Sequence, residues 1–128
     1  MPVAFRTDWV HNSNDSFVYT HPGQKFEGIS PLVGDASLTR PRTRAGLAEI
    51  PEMLGRGKVT LQAIQGQLFE NRNFMAQVVV PDLLAACDKA PTAESRDGCA
   101  ALKGWDRRSN VDARGAHVFR EFWRTARN

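Results

Sequence analysis

From residue 41 onward, apolar side chains recur every three or four residues, which is the spacing of an α-helix with one buried face. The first series follows Pro41, a residue that suits a first helical turn, and consists of Leu47, Ile50 and Leu54. Pro51 stands inside this series, and because proline has no backbone N–H we expect it to break or kink the helix. The pattern therefore predicts a first helix that begins near residue 41.

A second apolar series begins directly after Thr60, a residue type that often caps helices. Its members are Leu61, Ile64, Leu68 and Phe69. We expect this second helix to continue through residues 74–78 to Pro81, which would then open a separate short helix. The apolar positions of that third helix are Leu83, Leu84 and Cys87.

Two more helices are expected after a polar loop at residues 89–97. The fourth helix is short and is marked by Cys99, Leu102 and Trp105. A turn at residues 106–114 separates it from an amphipathic last helix, whose apolar face consists of Val118, Phe119, Phe122 and Trp123. Aromatic residues at helical spacing are packing residues in most proteins, so we expect this face to lie in the core or an interface.

The first part of the chain has a different pattern. Residues 8–13 predict a short strand, and the turn-forming residues that follow predict a long loop through Gly28, Pro31, Gly34 and Asp35. Irregular segments of this length are usually functional or belong to a larger assembly. The predicted fold class is therefore mainly α, with four or five helices after one short strand and a long loop.

The composition suits one domain with a core, because 41% of the 128 residues are hydrophobic and 9% are aromatic. No apolar run is long enough for a membrane span, and the first residues do not resemble an export signal. The net charge of +3 is spread over many segments, which argues against a nucleic-acid partner.

Cys87 and Cys99 are twelve residues apart, and the three histidines lie far from them in the sequence. This spacing matches no local zinc-binding pattern, so we expect no metal. From the residues alone, the two cysteines fit either a disulfide bond in an oxidising compartment or two buried thiols in a reducing one.

Residues 9–16 form the densest group of polar side chains beside apolar ones. An asparagine amide in such a segment can donate an N–H to a developing oxyanion, although Asn and Asp after a strand also form simple Asx-turns. Ser13 or Ser16 could pair with His11 as nucleophile and base, but the sequence offers no third group to orient the histidine.

Arg40, Arg42 and Arg44 stand at the start of the first predicted helix. Cations are unfavourable at the positive end of the helix dipole, so a carboxylate partner or an anionic ligand would explain them. A solvated face or ion pairs with acidic residues elsewhere are the simpler alternatives.

The string Trp-Val-His-Asn-Ser-Asn-Asp-Ser at 9–16 resembles the oxyanion-asparagine motif of the penicillin acylase family of N-terminal-nucleophile hydrolases, in the branch of aculeacin A and acyl-homoserine lactone acylases. Further segments resemble this branch in the same order. They are residues 28–35, Arg-Thr-Arg-x-Gly-Leu at 42–47, Asn71-Arg72, Pro81-Asp-Leu-Leu with Cys87, Cys99 to Asp106, and residues 112–123. The resemblance implies one piece of the large β chain of an acylase, with the strand and active-site loop at 1–36 and a helical segment at 37–128. The implied parent fold is a four-layer αββα sandwich.

The resemblance also implies roles for individual residues. Family members are precursors that cut themselves in two, and the new N-terminal Ser attacks an amide carbonyl with its own α-amino group as base. The second Asn of the Asn-x-Asn pair, here Asn14, is expected to form part of the oxyanion hole. Asn12 and Phe17 are expected to lie near the substrate, with Asn12 supporting the turn. The family's active-site Arg matches Arg42 without a gap and Arg40 with one, and both alternatives remain open.

Two departures from the family pattern affect these expectations. The chain begins with Met1 only a few residues before the motif, so the nucleophile is expected to be absent and the chain inactive alone. Phe17 stands where the family often has Pro or a polar residue followed by Trp, so substrate choice is not carried over.

The implied parent enzyme cleaves small N-acyl substrates, with fatty-acyl amides favoured, and acts in the periplasm or outside the cell, which favours a Cys87–Cys99 disulfide. The implied partners are the upstream β-chain core and the α chain of the precursor, and no cofactor is implied. Apolar surface left uncovered could also pair two copies in a non-native homodimer. The alternative function is a helical module that binds protein or nucleic acid.

Overall fold

The computed structural model describes residues 3–33 and 38–126. The chain divides into two compact units, Met1–Val59 and Thr60–Asn128, and each is described by itself. Gly34 and Asp35 of the predicted loop, the predicted boundary at 36–37, and Met1 lie outside the described residues.

The first unit consists mostly of irregular backbone before a single α-helix. Its described elements are two short 3₁₀ helices, Phe17–Tyr19 and Pro31–Val33, and helix α1, Pro41–Gly55. The strand predicted at 8–13 is wrong, because no strand forms among residues 3–33 and 38–126. A strand needs a ladder of backbone hydrogen bonds with a neighbour, whereas His11 N donates a lone 2.8 Å bond from this segment to Thr20 O.

Helix α1 begins at Pro41, as the pattern predicts, but it does not break at Pro51. The helix continues through this proline to Gly55. A proline in a helix interior removes one backbone hydrogen bond and crowds the preceding turn, but here its ring lies on the exposed side of the helix. The free-energy cost of Pro51 is therefore confined to its own turn, and the remaining turns of α1 continue.

The second unit contains four helices. They are α2, Leu61–Phe69; α3, Phe74–Lys89; α4, Arg96–Lys103; and α5, Arg114–Ala126. The predicted cap of α2 is confirmed, because the Thr60 hydroxyl accepts a 3.1 Å hydrogen bond from Ala63 N.

The predicted continuation of the second helix to Pro81 is wrong. Asn71 takes a left-handed backbone conformation with φ of 54° and ends the path of α2, since a helix requires negative φ. Asn73 then caps a new helix by accepting a 3.0 Å hydrogen bond from Ala76 N. Pro81 lies inside that helix rather than opening a third one, again on the exposed side.

The core of the second unit lies where α4 packs against α3 and α5. Its buried apolar side chains are Ala76, Val80, Leu102, Trp105 and Phe119. Phe119 is 2% exposed, and the predicted aromatic face of the last helix is confirmed as a packing face, because Phe122 and Trp123 pack against this cluster.

Trp105 lies two residues beyond the end of α4 rather than within it. Its indole N–H donates a 2.7 Å hydrogen bond to Arg108 O, which fixes the ring in the core.

Cys87 and Cys99 form a disulfide bond between α3 and α4. Helix α2 leaves Leu61, Leu68 and Phe69 largely exposed. Within residues 3–33 and 38–126, no helix is both long enough and apolar enough to cross a membrane.

Candidate functional site

The residues expected to carry the chemistry lie on a tight turn in the first unit. Asn14 N donates a 2.9 Å hydrogen bond to Asn12 Oδ1, which closes an Asx-turn. Asn14 itself has a φ of 60°, in the left-handed region that Asn tolerates better than most residues. Asn12 therefore shapes the backbone that presents Asn14, and both side chains are exposed.

Arg42, in the first turn of α1, holds the side chain of Asn14. Its Nη2 atom donates to Asn14 Oδ1 at 2.7 Å and to the carbonyl oxygen of Ser13 at 3.1 Å. Because a guanidinium only donates, the amide atom facing it must be the oxygen. The Asn14 amide nitrogen is thereby turned away from Arg42, and it donates to none of the described residues.

Asp15 joins the same turn to the start of α1. Its side chain is only 5% exposed. Atom Oδ2 accepts hydrogen bonds from the Thr43 hydroxyl at 2.5 Å and from Arg40 N at 2.9 Å. The Thr43 hydroxyl, then the Arg40 N–H, and then the charges of Arg40 and Arg42 lower the pKa of the Asp15 carboxyl below its usual range.

The arginines at the helix start now have a local explanation. Arg40 precedes the helix without capping it through its own side chain, and Asp15 supplies the acceptor and the negative charge that a helix N-terminus favours. Arg40 Nε also lies 3.5 Å from Asp15 Oδ1. The two candidate arginines thus differ in position, since Arg42 contacts Asn14 while Arg40 contacts Asp15.

Ser13 and His11, one of the two serine–histidine pairs considered from the sequence, lie in contact, but no third residue in the described part of the chain orients the histidine. Ser13 Oγ lies 2.8 Å from His11 Nε2. His11 Nδ1 is buried and has no hydrogen-bond partner among the described residues, so none of them orients the ring as a third catalytic group. Ser16 Oγ is likewise buried without a partner there and does not pair with His11.

His11 also fixes how closely α1 can approach the turn. A Cβ added at Gly46 would lie 2.1 Å from His11 Nε2, so the imidazole occupies the space that a larger residue would need. The glycine therefore allows the ring to lie against the helix.

An open pocket of about 570 Å³ adjoins the turn. Asn12 and Phe17, the two residues expected near the substrate, both line it. Its other apolar lining residues are Ala4, Val10, Phe26 and Val33. The Phe17 and Phe26 rings meet edge to face at 5.4 Å, which gives the pocket a stiff aromatic wall.

Asp15 and Thr43 are site residues to which the sequence pattern assigned no role. The available signal was indirect, because the residue before Pro41 is an arginine that cannot cap the helix, so an acceptor had to come from elsewhere. Across the described ranges, no group of three or more His, Cys, Asp or Glu side chains lies close enough to hold a metal ion.

The comparisons with known proteins agree with the motif at 9–16. The chain is 38% identical to aculeacin-A acylase of Actinoplanes utahensis over 95% of its own length and 17% of the relative. It is 34% identical to the acyl-homoserine lactone acylase PvdQ of Pseudomonas fluorescens over 88% of its length and 15% of the relative. The PvdQ of Pseudomonas syringae pv. syringae is 33% identical over the same shares of both chains.

The chain thus spans less than a fifth of the length of these curated relatives. No solved structure matches it. The family model for penicillin amidase matches residues 1–128, which is the whole chain. The chain belongs to the penicillin amidase family.

Proposed function

We propose that this chain is part of an acylase that hydrolyses the amide bond of a small N-acylated molecule, with Asn14 as an oxyanion-hole donor. The observation that carries the proposal is the hydrogen bond of 2.7 Å from Arg42 to Asn14 Oδ1. It holds the amide so that its N–H group points away from the guanidinium and is available to a ligand.

The proposed role of Asn14 follows from where charge develops in amide hydrolysis. When a nucleophile attacks the carbonyl carbon, the carbonyl oxygen becomes an oxyanion, and a donor fixed beforehand stabilises it without reorganising. Loss of one such donor costs about 3–4 kcal/mol of barrier in a comparable hydrolase. Arg42 polarises the amide from its oxygen side, which strengthens the N–H as a donor.

The proposed nucleophile is an N-terminal Ser outside residues 1–128, with its own α-amino group as base. The remaining β-chain core and the α chain of the acylase are the proposed partners, within a four-layer αββα parent fold. On this proposal the 128-residue chain alone is inactive, because it supplies one oxyanion donor but not the serine nucleophile that attacks the amide.

A fatty-acyl chain is the favoured acyl group. The relatives named above are acylases of aculeacin A and of acyl-homoserine lactones, and five of the ten side chains that line the pocket beside Asn12 and Phe17 are apolar, including the two phenylalanines. We place the parent enzyme in the periplasm or outside the cell, and the Cys87–Cys99 bond supports this, since disulfides persist in oxidising compartments.

The test measures hydrolysis of a chromogenic fatty-acyl amide. The 128-residue chain is assayed alone and after assembly with the remaining acylase polypeptide, supplied by its own gene or by the corresponding parts of aculeacin-A acylase. We expect activity only in the assembly, and a loss of about 100-fold or more in kcat for Asn14→Ala.

Asn14→Asp is the matched variant, because it keeps the size and an oxygen for Arg42 while replacing the N–H donor by a second oxygen. We expect it to be at least as inactive as Asn14→Ala. Activity of the chain alone would mean that its own residues hold a nucleophile. A folded but inactive assembly would contradict the proposal and favour the binding-module alternative.

A further inference from the structure

We propose that Asp15 is a positioning residue for the oxyanion donor: its buried carboxylate fastens the turn that carries Asn14 to the first turn of α1, where Arg42 lies. The inference rests on the proposed function for what this arrangement serves. The arrangement itself can be tested without any enzymatic activity.

The described contacts of the Asp15 side chain are all with residues at the start of α1. Its carboxylate meets the Thr43 hydroxyl, the Arg40 N–H and, at 3.5 Å, Arg40 Nε. Thr43 is 1% exposed and lies inside α1, so the anchor point is a rigid part of the first unit. The carboxylate therefore joins segments that are 25 to 28 residues apart in the chain.

The rest of the turn is held less firmly. Asn14 is exposed and has a left-handed backbone, and its other described contacts are the local Asx bond and the Arg42 side chain. Arg42 also donates to the backbone oxygen of Ser13 at 3.1 Å, but its side chain is long and exposed, and such a contact holds a backbone only weakly. Asp15 is the neighbour of Asn14 in the sequence, so its anchoring limits how far the Asn14 amide can move from Arg42.

A carboxylate suits this place better than an amide. Both oxygens of Asp15 face donors, and the charge is favourable at a helix N-terminus. An asparagine at this position would keep only one acceptor oxygen. In one orientation its NH₂ group would face Arg40 Nε, and in the other it would face the Thr43 hydroxyl and the Arg40 N–H, which are donors as well. We therefore expect Asp15→Asn to release the turn although the side chain keeps its size.

The first experiment uses ¹⁵N-labelled 128-residue chain and follows the side-chain amide signals of Asn14 by NMR. In Asp15→Asn we expect these signals to move toward those of a freely exposed asparagine, and the Arg42 guanidinium protons to exchange faster. Glu52→Gln is the matched control, because it removes a carboxylate from the exposed far end of α1 and should leave the signals unchanged.

Unchanged Asn14 and Arg42 signals in Asp15→Asn would overturn the inference. A spectrum of the unaltered chain without the dispersion of a folded protein would overturn it as well, because the contacts of Asp15 would then not exist.

The second experiment measures kcat and KM in the assembled acylase. We expect Asp15→Asn to lower kcat about 10- to 100-fold with KM changed less than about 2-fold, since displacing a catalytic group by about 1 Å has effects of this size. Thr43→Val should lower kcat in the same direction, and Thr43→Ser, which keeps the hydroxyl, should restore most of it.

The variants separate the two proposals. If Asn14→Ala abolishes activity while Asp15→Asn and Thr43→Val leave kcat unchanged, the oxyanion role stands and the positioning role of Asp15 is refuted. If Asn14→Ala leaves activity unchanged, the proposed function fails, and the NMR comparison still decides whether Asp15 holds the turn.

Discussion

Replacing Gly115 by alanine tests how closely α4 and α5 approach each other. Gly115 is buried near the start of α5, and an added Cβ would lie 2.4 Å from Trp105 Cβ and 2.9 Å from the carbonyl oxygen of Ala101. Carbon atoms in favourable contact are about 3.5–4.0 Å apart, so the methyl group lacks more than an ångström of space. Trp105 cannot swing aside without breaking its hydrogen bond to Arg108 O.

The helix must therefore shift, and overpacking of this kind costs about 1–3 kcal/mol. The alanine recovers at most about 1 kcal/mol of helix propensity, and less in a first turn. A net loss of about 1–2 kcal/mol lowers the midpoint of thermal unfolding by about 4–16 °C in a unit of this size.

The assay is thermal unfolding of the 128-residue chain, followed by circular dichroism and by Trp fluorescence. Gly98→Ala is the matched control, because Gly98 also lies in a helix but its added Cβ would meet Val118 Cγ1 at an ordinary 3.7 Å. Because Gly98 also lies in the first turn of its helix, we expect this control to leave the stability unchanged or to raise it by less than about 1 kcal/mol. Equal midpoints for the two variants would refute the close approach of α5 to Trp105.

Three further predictions concern the same chain. Phe119→Ala removes the 2%-exposed ring at the centre of the aromatic cluster and should destabilise the second unit by about 3–5 kcal/mol, measured by urea unfolding. Reduction of the Cys87–Cys99 bond releases a short loop between α3 and α4 and should cost about 2–4 kcal/mol, with the Cys87→Ala, Cys99→Ala double variant insensitive to reductant. Because folding lowers the pKa of Asp15, its contribution to stability is complete above the unfolded value of 3.8 and is lost as the pH falls through the lower folded value. Acid titration of Asp15→Asn should therefore show a shallower loss of stability below about pH 4 than the unaltered chain, and an identical slope would contradict the contacts with Thr43.

The sequence predicted which residue types form the candidate site, but not which of them contact each other. The Asn-x-Asn string marks Asn12 and Asn14, and the Asx-turn between them follows from local chemistry that a sequence shows directly. The choice between Arg40 and Arg42 was not open to local reasoning, because both arginines stand at the same helix start. Their contacts depend on how the irregular segment before α1 folds back onto that helix.

The failed predictions have a common physical reason. A strand at 8–13 needs a partner strand, and the continuation of α2 was decided at Asn71, whose left-handed backbone belongs to a loop held by distant groups. Ser109 N donates to Asn71 O at 2.8 Å, and Arg108 donates to the backbone oxygen of Glu70 at 2.8 Å. These contacts join positions almost forty residues apart, and no window of the sequence contains both partners.

By itself, the sequence determined the helical content of residues 41–126, the cap of α2 and the apolar face of the last helix. These features depend on spacing and on side chains within a few residues of each other, so the local pattern is sufficient. Only the tertiary structure decided that Asp15 caps α1 and that Arg42 meets Asn14. Hydrogen bonds between segments 25 to 28 residues apart depend on the path of the whole backbone, which periodicity does not describe.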